Sequence, residues 1–325
     1  MSRTFVIAFC LALLGLAAEP KQDALAQNWP QRPVRLIVPY AAGGGTDIVA
    51  RVLAQKLGET LGQSFVVENK PGASGMLGAE LVAKGDADGY TFLVASPAEI
   101  ALNQYLFPRI AYNPLHDFAP ITLLAWTPMA FVAHPSFPAS TVSQLLDMAR
   151  THSVPFSSPG IGSAHHLVVA YINTLAGTHF EHIPYRGAAP AVQDAVAGQV
   201  KLTISGMPPV VPFLQAGSLK AIAVTSAERS SIFPTIPAMA ENAGFEDFDF
   251  TNWFGLLARS GTPQPVLDAI SKAAVAALQL ATVRDTIKAQ AAQPVGNGPT
   301  EFGLFIQHES AKYRKIVEVT GVKVK

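Results

Sequence analysis

The chain has 325 residues, 49% of them hydrophobic, with 23 basic and 23 acidic side chains. That length favours two domains, and the flat charge balance, with no basic tract or stripe, argues against nucleic acid as a partner. A single cysteine, Cys10, excludes an internal disulfide framework.

Residues 1–26 read as a signal peptide. Arg3 opens a short basic region, Phe5–Ala18 is an apolar run too short for a membrane span, and Ala24-Leu25-Ala26 gives an A-x-A cleavage site before Gln27. Cys10 follows Phe9, whereas a lipid-anchor cysteine follows a small residue. Cleavage leaves residues 27–325, exported and without cysteine. That suits a large bacterial periplasmic domain whose core holds without staples.

The segment Arg35–Leu57 organises the rest. Leu36–Val38 is apolar, too short for a helix, and reads as a buried strand ended by Pro39. The loop Tyr40–Thr46 carries Gly43, Gly44 and Gly45. After it Ile48, Val49, Val52, Leu53 and Leu57 share one helical face. A strand, a glycine loop and a helix N-terminus form a site for anions, because free N–H groups and the positive dipole end face the loop. The loop lacks the Lys-Ser/Thr of a P-loop and the spaced glycines of a dinucleotide fingerprint. Asp47 in the first turn would repel a phosphate, so a carboxylate fits better. Asp47 could instead cap the helix or attract an ammonium group.

Ser64–Glu68 predicts a second strand, Ala73–Gly78 a small-residue loop leading to a helix at Met76–Ala83, and Tyr90–Ala95 a third strand. A helix follows to about Leu106, with Ser96 either capping it or touching ligand. The alternation predicts a parallel sheet covered on both faces, with the loops on one rim. Phe118–Val132, broken by Pro120 and Pro128, should carry the chain out of the first domain. A capping box at Thr141–Gln144 opens a helix to about Arg150. A strand near Val154–Ser157 then leads to Ser158–Ser163 and a helix from Ala164 to Leu175, repeating the opening device. A strand at Phe180–Ile183, the loop Tyr185-Arg186-Gly187 and a helix at Pro190–Ala197 follow. Strands at Lys201–Ile204 and Lys220–Thr225 flank the proline-rich Met207–Pro212. Trp253–Leu257 should return the chain to the first domain. Thr262-Pro263 opens a helix, and Phe302–Val319 is the last amphipathic one. Two glycine-loop helix starts, one per half, suggest two jaws that close on a small anion.

The segments VPYAAGGGTDIVAR, VENKPGASG, DGYTFLVASPAEIALNQYLF, DFAPITLLA, SPGIGSAHHL, HIPYRGAAPAVQD, LKAIAVTSAERS and WFGLLARSGTP resemble the Bug family of periplasmic solute receptors, the TctC-like components of tripartite tricarboxylate transporters. The resemblance spans the chain from Trp29 onward. It implies an α/β, two-lobed periplasmic-binding-protein fold of the type II kind, two Rossmann-like lobes around a ligand cleft. Lobe 1 would be 27–125 plus 251–325 and lobe 2 would be 126–250. It implies a receptor rather than an enzyme, without cofactor or metal, monomeric, that passes a small carboxylate solute to transporter membrane components or to a membrane sensor. Carried over by residue, the first jaw is Tyr40, Ala41, Ala42, Gly43, Gly44, Thr46 and Asp47, with Ser74 and Gly75 in the next loop. The second jaw is Gly160, Ile161, Gly162, Ser163 and His166, with Tyr185, Arg186 and Gly187 nearby. Where family members often carry a polar residue, commonly Asn, this chain has Ile161. Ser205 and Gly206 replace an acidic or amide pair. Both departures make the second jaw less polar and point to an aromatic or short monocarboxylate.

Two other classes compete. A serine hydrolase could pair Ser158 or Ser163 with His165 or His166, oriented by Asp47 or Asp194. Yet the chain has no G-x-S-x-G at either glycine loop, and Ser163 reads better as a helix N-cap. His165, His166, His179 and His182 lack a metal-ligand spacing.

Overall fold

The computed structural model describes residues 29–324, so the signal-peptide reading lies outside the described residues. Strand β1 (Val34–Val38) pairs in parallel with β2 (Phe65–Asn69) and β3 (Thr91–Ala95). Val34, Leu36, Ile37 and Val38 have no exposure, because helices α1 (Gly45–Leu61) and α2 (Met76–Ala83) belong to the layers that cover the sheet. Gly62 ends α1 in the left-handed conformation, φ 69°, returning its N–H to the Gly58 carbonyl. After β3 the chain makes one π-helical turn, Ala98–Leu102, and the short helix α3 (Asn103–Leu106).

Strand β4 (Phe118–Ala133) then runs for 16 residues without a break, although the sequence predicted interruption at Pro120 and Pro128. Each proline lacks an N–H, and the ladder adapts: register slips beside Pro120, while Pro128 uses its carbonyl to accept the Met207 N–H at 3.2 Å. Helix α4 (Val142–Thr151) leads to β5 (Val154–Ser158), and Thr141 Oγ1 caps α4 by accepting the Gln144 N–H. Helix α5 (Ala164–Ala176), β6 (Phe180–Pro184), α6 (Ala188–Val196), β7 (Leu202–Gly206), α7 (Val211–Gln215) and β8 (Lys220–Val224) follow. Strand β9 (Thr251–Arg259) brings the chain back between β3 and β4. Helices α8 (Gln264–Gln279) and α9 (Ala281–Ala289), the short β10 (Gln293–Pro294) and helix α10 (Pro299–Thr320) complete the fold.

The strand order is β2-β1-β3-β9-β4-β7-β5-β6, with β8 and β10 also on β4. This corrects the expectation of a parallel sheet. β9 is antiparallel to β3 and β4, and β4 is antiparallel to β7 and β8. β4 and β9 therefore join the two parallel units, and their paired tryptophans, Trp126 and Trp253, sit where one unit gives way to the other. Trp253 is fully buried, edge-on to Phe302 and Phe305 of α10, and its Nε1–H donates to Glu309 at 3.1 Å.

Candidate ligand cleft

The glycine loops after β1 and β5 and the loop before α6 face one another, and the jaws touch. Ser74 Oγ donates to the Ile161 carbonyl across the gap. A Cβ built on Gly187 would lie 3.1 Å from Ala41 N, and one on Gly43 3.5 Å from Ala189 Cβ. Ser74 and its neighbour Ala73 hold positive φ, 53° and 46°. Two consecutive non-glycine residues there store backbone strain in a loop whose side chain reaches the opposite jaw.

Between the jaws lies an inner cavity of about 30 Å³, lined in part by Tyr40, Thr46, Ser96, Ser163, His165 and Asn252. Its volume exceeds the roughly 10–15 Å³ that one water needs. Tyr40 and Pro159 also line an outer chamber of about 330 Å³, together with Ser74, Gly160, Ile161, Tyr185 and Arg186. Among the described residues, no Lys, Arg, Asp or Glu lines the inner cavity. Positive potential comes instead from helix starts: Gly44 and Gly45 of α1, Ser163 and Ala164 of α5, and Ala188 of α6 all border it. Ser163 Oγ accepts the His166 N–H at 3.2 Å, the N-cap expected from sequence, and leaves the earlier N–H groups of α5 without an intrahelical partner.

Other residues of the sequence-derived site sit behind these walls. Asp47 is buried under the first loop. Its carboxylate accepts the Gly43 N–H at 2.9 Å, Arg51 Nε at 2.9 Å and Asn69 Nδ2 at 2.9 Å. Burial opposes its charge, but those three hydrogen bonds hold its carboxyl below the usual range. Asp47 thus shapes the glycine loop. On the jaw rim, Ala41 is half-buried and Ala42 exposed. Gly162 donates its N–H to His166 Nδ1, and the His166 ring stacks on His182 with centroids 4.2 Å apart. Gly187 is the N-cap of α6.

Three functional candidates lie outside the ligand contacts expected from the sequence, where His165 entered only as a candidate base or metal ligand. His165 is 5% exposed, lines the inner cavity, and its Nε2 is buried without a hydrogen-bond partner. Burial pushes its imidazole down to about 3, so the ring is neutral. Asn252 reaches the cavity from β9. Glu99 lies fully buried behind the wall, with Oε2 2.8 Å from Tyr40 Oη and Oε1 accepting the Ser96 N–H at 2.6 Å. Burial pushes its carboxyl up to about 7 from an ordinary 4.5. A raised value means the folded chain binds the extra proton. The stability Glu99 supplies is therefore complete below pH 4.5 and lost as pH rises through about 7. Relative to Glu99→Gln, the native chain is expected to lose about 3 kcal/mol across that window. Thermal melts of both proteins from pH 4.5 to 8.5 check it; parallel curves would mean that Glu99 does not titrate there.

The family model for the tripartite tricarboxylate transporter family receptor, TctC, matches residues 49–322. The chain belongs to that receptor family. The receptor is 36% identical over 323 residues to protein BugT of Bordetella pertussis, covering 98% of each chain. Among solved structures, the R. palustris protein Rpa4515 with adipate superposes with a TM-score of 0.87 at 33% identity, covering 90% of this chain and 98% of its own. MatC from Rhodopseudomonas palustris with bound malate gives 0.84 at 32% identity, with 89% and 100% covered. These neighbours establish the two-lobed fold, and the receptor is a solute-binding protein, not an enzyme. The geometry is consistent with that. Ser158 Oγ does meet His182 Nε2 at 2.5 Å, but Ser158 is fully buried and Asp194 is bound by the Tyr185 hydroxyl at 2.6 Å.

Proposed function

We propose that the receptor captures a small carboxylate solute in the periplasm, after removal of residues 1–26, and passes it as a monomer to the membrane components of a tripartite tricarboxylate-type transporter. Lobe 1, residues 27–125 plus 251–325, and lobe 2, residues 126–250, close around it. The observation that carries this reading is the inner cavity. Among the described residues it has three helix N-termini on its border, no charged side chain in its lining, and one buried imidazole nitrogen without a partner. An anion satisfies all of these together, and a buried polar atom without a partner is rare enough to need one. The small volume takes a carboxylate head, and the body of the solute extends past Tyr40 and Pro159 into the outer chamber beside Arg186. Adipate and malate, present in those two similar structures, are short chains with a carboxylate at each end, and one such end fits the inner cavity. Contacts to both lobes are what make binding favour closure.

Thermal unfolding of residues 27–325 against mono-, di- and tricarboxylates, aromatic acids, amino acids and neutral amides tests the proposal. A solute at about a hundred times its dissociation constant adds roughly 2.7 kcal/mol, a shift of several degrees. The best acid is expected to bind His165→Leu about tenfold more weakly, the worth of one buried hydrogen bond. Silence from every acid while an amide shifts the melt would overturn the carboxylate reading. Unchanged affinity in the leucine variant would remove His165 from the site.

A further inference from the structure

Tyr40, Ser96 and Glu99 form a small hydrogen-bonded cluster, two members of which line the inner cavity. Glu99 Oε2 lies 2.8 Å from Tyr40 Oη and 3.2 Å from Ser96 Oγ, and Ser96 Oγ is 3.0 Å from Tyr40 Oη. Glu99 Oε1 is held by the Ser96 N–H. Among the described residues, no cation pairs with the carboxyl. The ionisable groups that touch Glu99 are Tyr40 and Tyr112, whose hydroxyl donates to the Glu99 backbone carbonyl at 2.8 Å. On α10, packed against the same turn, Glu309 is occupied by Lys312 and Trp253, and the Tyr313 hydroxyl is buried without a partner.

Counting protons shows what this wall can offer a ligand. A carboxylate accepts only, and a hydroxyl has one proton to give. With Glu99 ionised, the Tyr40 proton goes to Oε2 and the Ser96 proton to Oε2 or to Tyr40 Oη. The cavity then faces oxygen lone pairs backed by a negative charge, which repel a carboxylate. With one proton on Oε2, Glu99 becomes the donor, and a hydroxyl proton is released to point into the cavity. A carboxylic acid kept neutral by its burial can serve in this way as a donor.

We propose that Glu99 is a proton switch of capture: a carboxylate solute binds together with one proton, which resides on Glu99 and frees the Tyr40 or Ser96 hydroxyl to donate to the solute. The inference rests on the carboxylate reading of the cleft. Glu99 acts here as a positioning residue, through the two hydroxyls and not by contact. Its carboxyl, pushed up to about 7 by burial, places the exchange within the range of ordinary growth media. Above that range, capture weakens as the proton becomes scarcer.

The test is the dissociation constant of adipate, malate and the other acids of the panel between pH 6 and pH 9. Above about pH 7 these acids are essentially ionised, so the slope there belongs to the protein. The expected result for the native receptor is a dissociation constant that rises about tenfold per pH unit above about 7. Calorimetry at pH 8 in phosphate and in Tris should report uptake of about one proton per ligand. Glu99→Gln, whose amide is a permanent donor, should bind with an affinity constant within about twofold over the whole range. A flat native profile, no proton uptake, or a slope that survives in a folded Glu99→Gln would each overturn the switch. Should the variant not fold, the native slope and the proton count decide by themselves. An acid that binds with flat affinity defeats the switch and leaves the carboxylate reading standing, whereas failure of every acid at pH 6 defeats both.

Discussion

Gly187→Leu is expected to lower ligand affinity at least a hundredfold in a chain that still melts cooperatively. Gly187 has φ 131° and ψ 170°, a region open in practice to glycine alone, and it is the N-cap of α6. With the jaws in contact, a Cβ there would lie 3.1 Å from Ala41 N and 3.2 Å from Ala41 Cβ on the opposite jaw. A leucine side chain extends this conflict by three more carbons, so the lobes cannot meet. The backbone strain, of order 1–3 kcal/mol, falls on stability, and the wedge falls on closure. Gly43→Ala is the control. Its φ of 80° is also positive, but its Cβ would sit 3.5 Å from Ala189 Cβ, an ordinary contact, and binding should fall only a few-fold. Titration calorimetry with the best acid of the panel, with small-angle scattering for lobe closure, separates the two. Equal affinity in Gly187→Leu and native receptor would show that this contact plays no part in capture.

Trp253→Ala is expected to produce the largest loss of stability. The side chain is fully buried against Phe302 and Phe305, and such truncations cost about 3–5 kcal/mol. Glu309 would in addition lose the indole donor and keep only its pairing with Lys312, inside the protein. The melting temperature should drop by on the order of 10 °C. Trp253→Phe, which retains a ring but no donor, should lose less than half as much. Denaturant unfolding followed by far-ultraviolet circular dichroism measures both, and a loss below about 1 kcal/mol in the alanine variant would contradict the packing described.

The strand–loop–helix starts were legible because their signals are local. Three glycines between an apolar run and an amphipathic helix at Gly43–Gly45, and a serine three residues before His166, carry their geometry with them. The central strands were not. Pro120 and Pro128 read as breaks, and only the neighbouring β9 and the Met207 N–H show how one strand accommodates both. Of the two adjacent histidines, His165 lines the cavity while His166 stacks on His182; the rotational phase of α5 that separates them is fixed by packing. Glu99 was not singled out in the sequence, because no local pattern marks that charge as buried. Its burial follows from Tyr40, which arrives from 59 residues away. Asp47 admitted several roles in sequence; its partners Gly43 and Arg51 lie four residues away on either side, but Asn69 reaches it only once β2 lies beside β1.

The three helix starts at the inner cavity also bear on when the lobes close. Each contributes roughly half a positive charge, and they belong to different jaws: α1 on one, α5 and α6 on the other. Bringing the jaws together gathers like-signed ends into one small, poorly hydrated volume, where their mutual repulsion is least screened. Closing without an anion is therefore penalised, and closing on one is rewarded. On the proposed reading, the charges that would bind the solute also oppose unliganded closure, so the closed shape would become a report of occupancy set by electrostatics that no single side chain supplies.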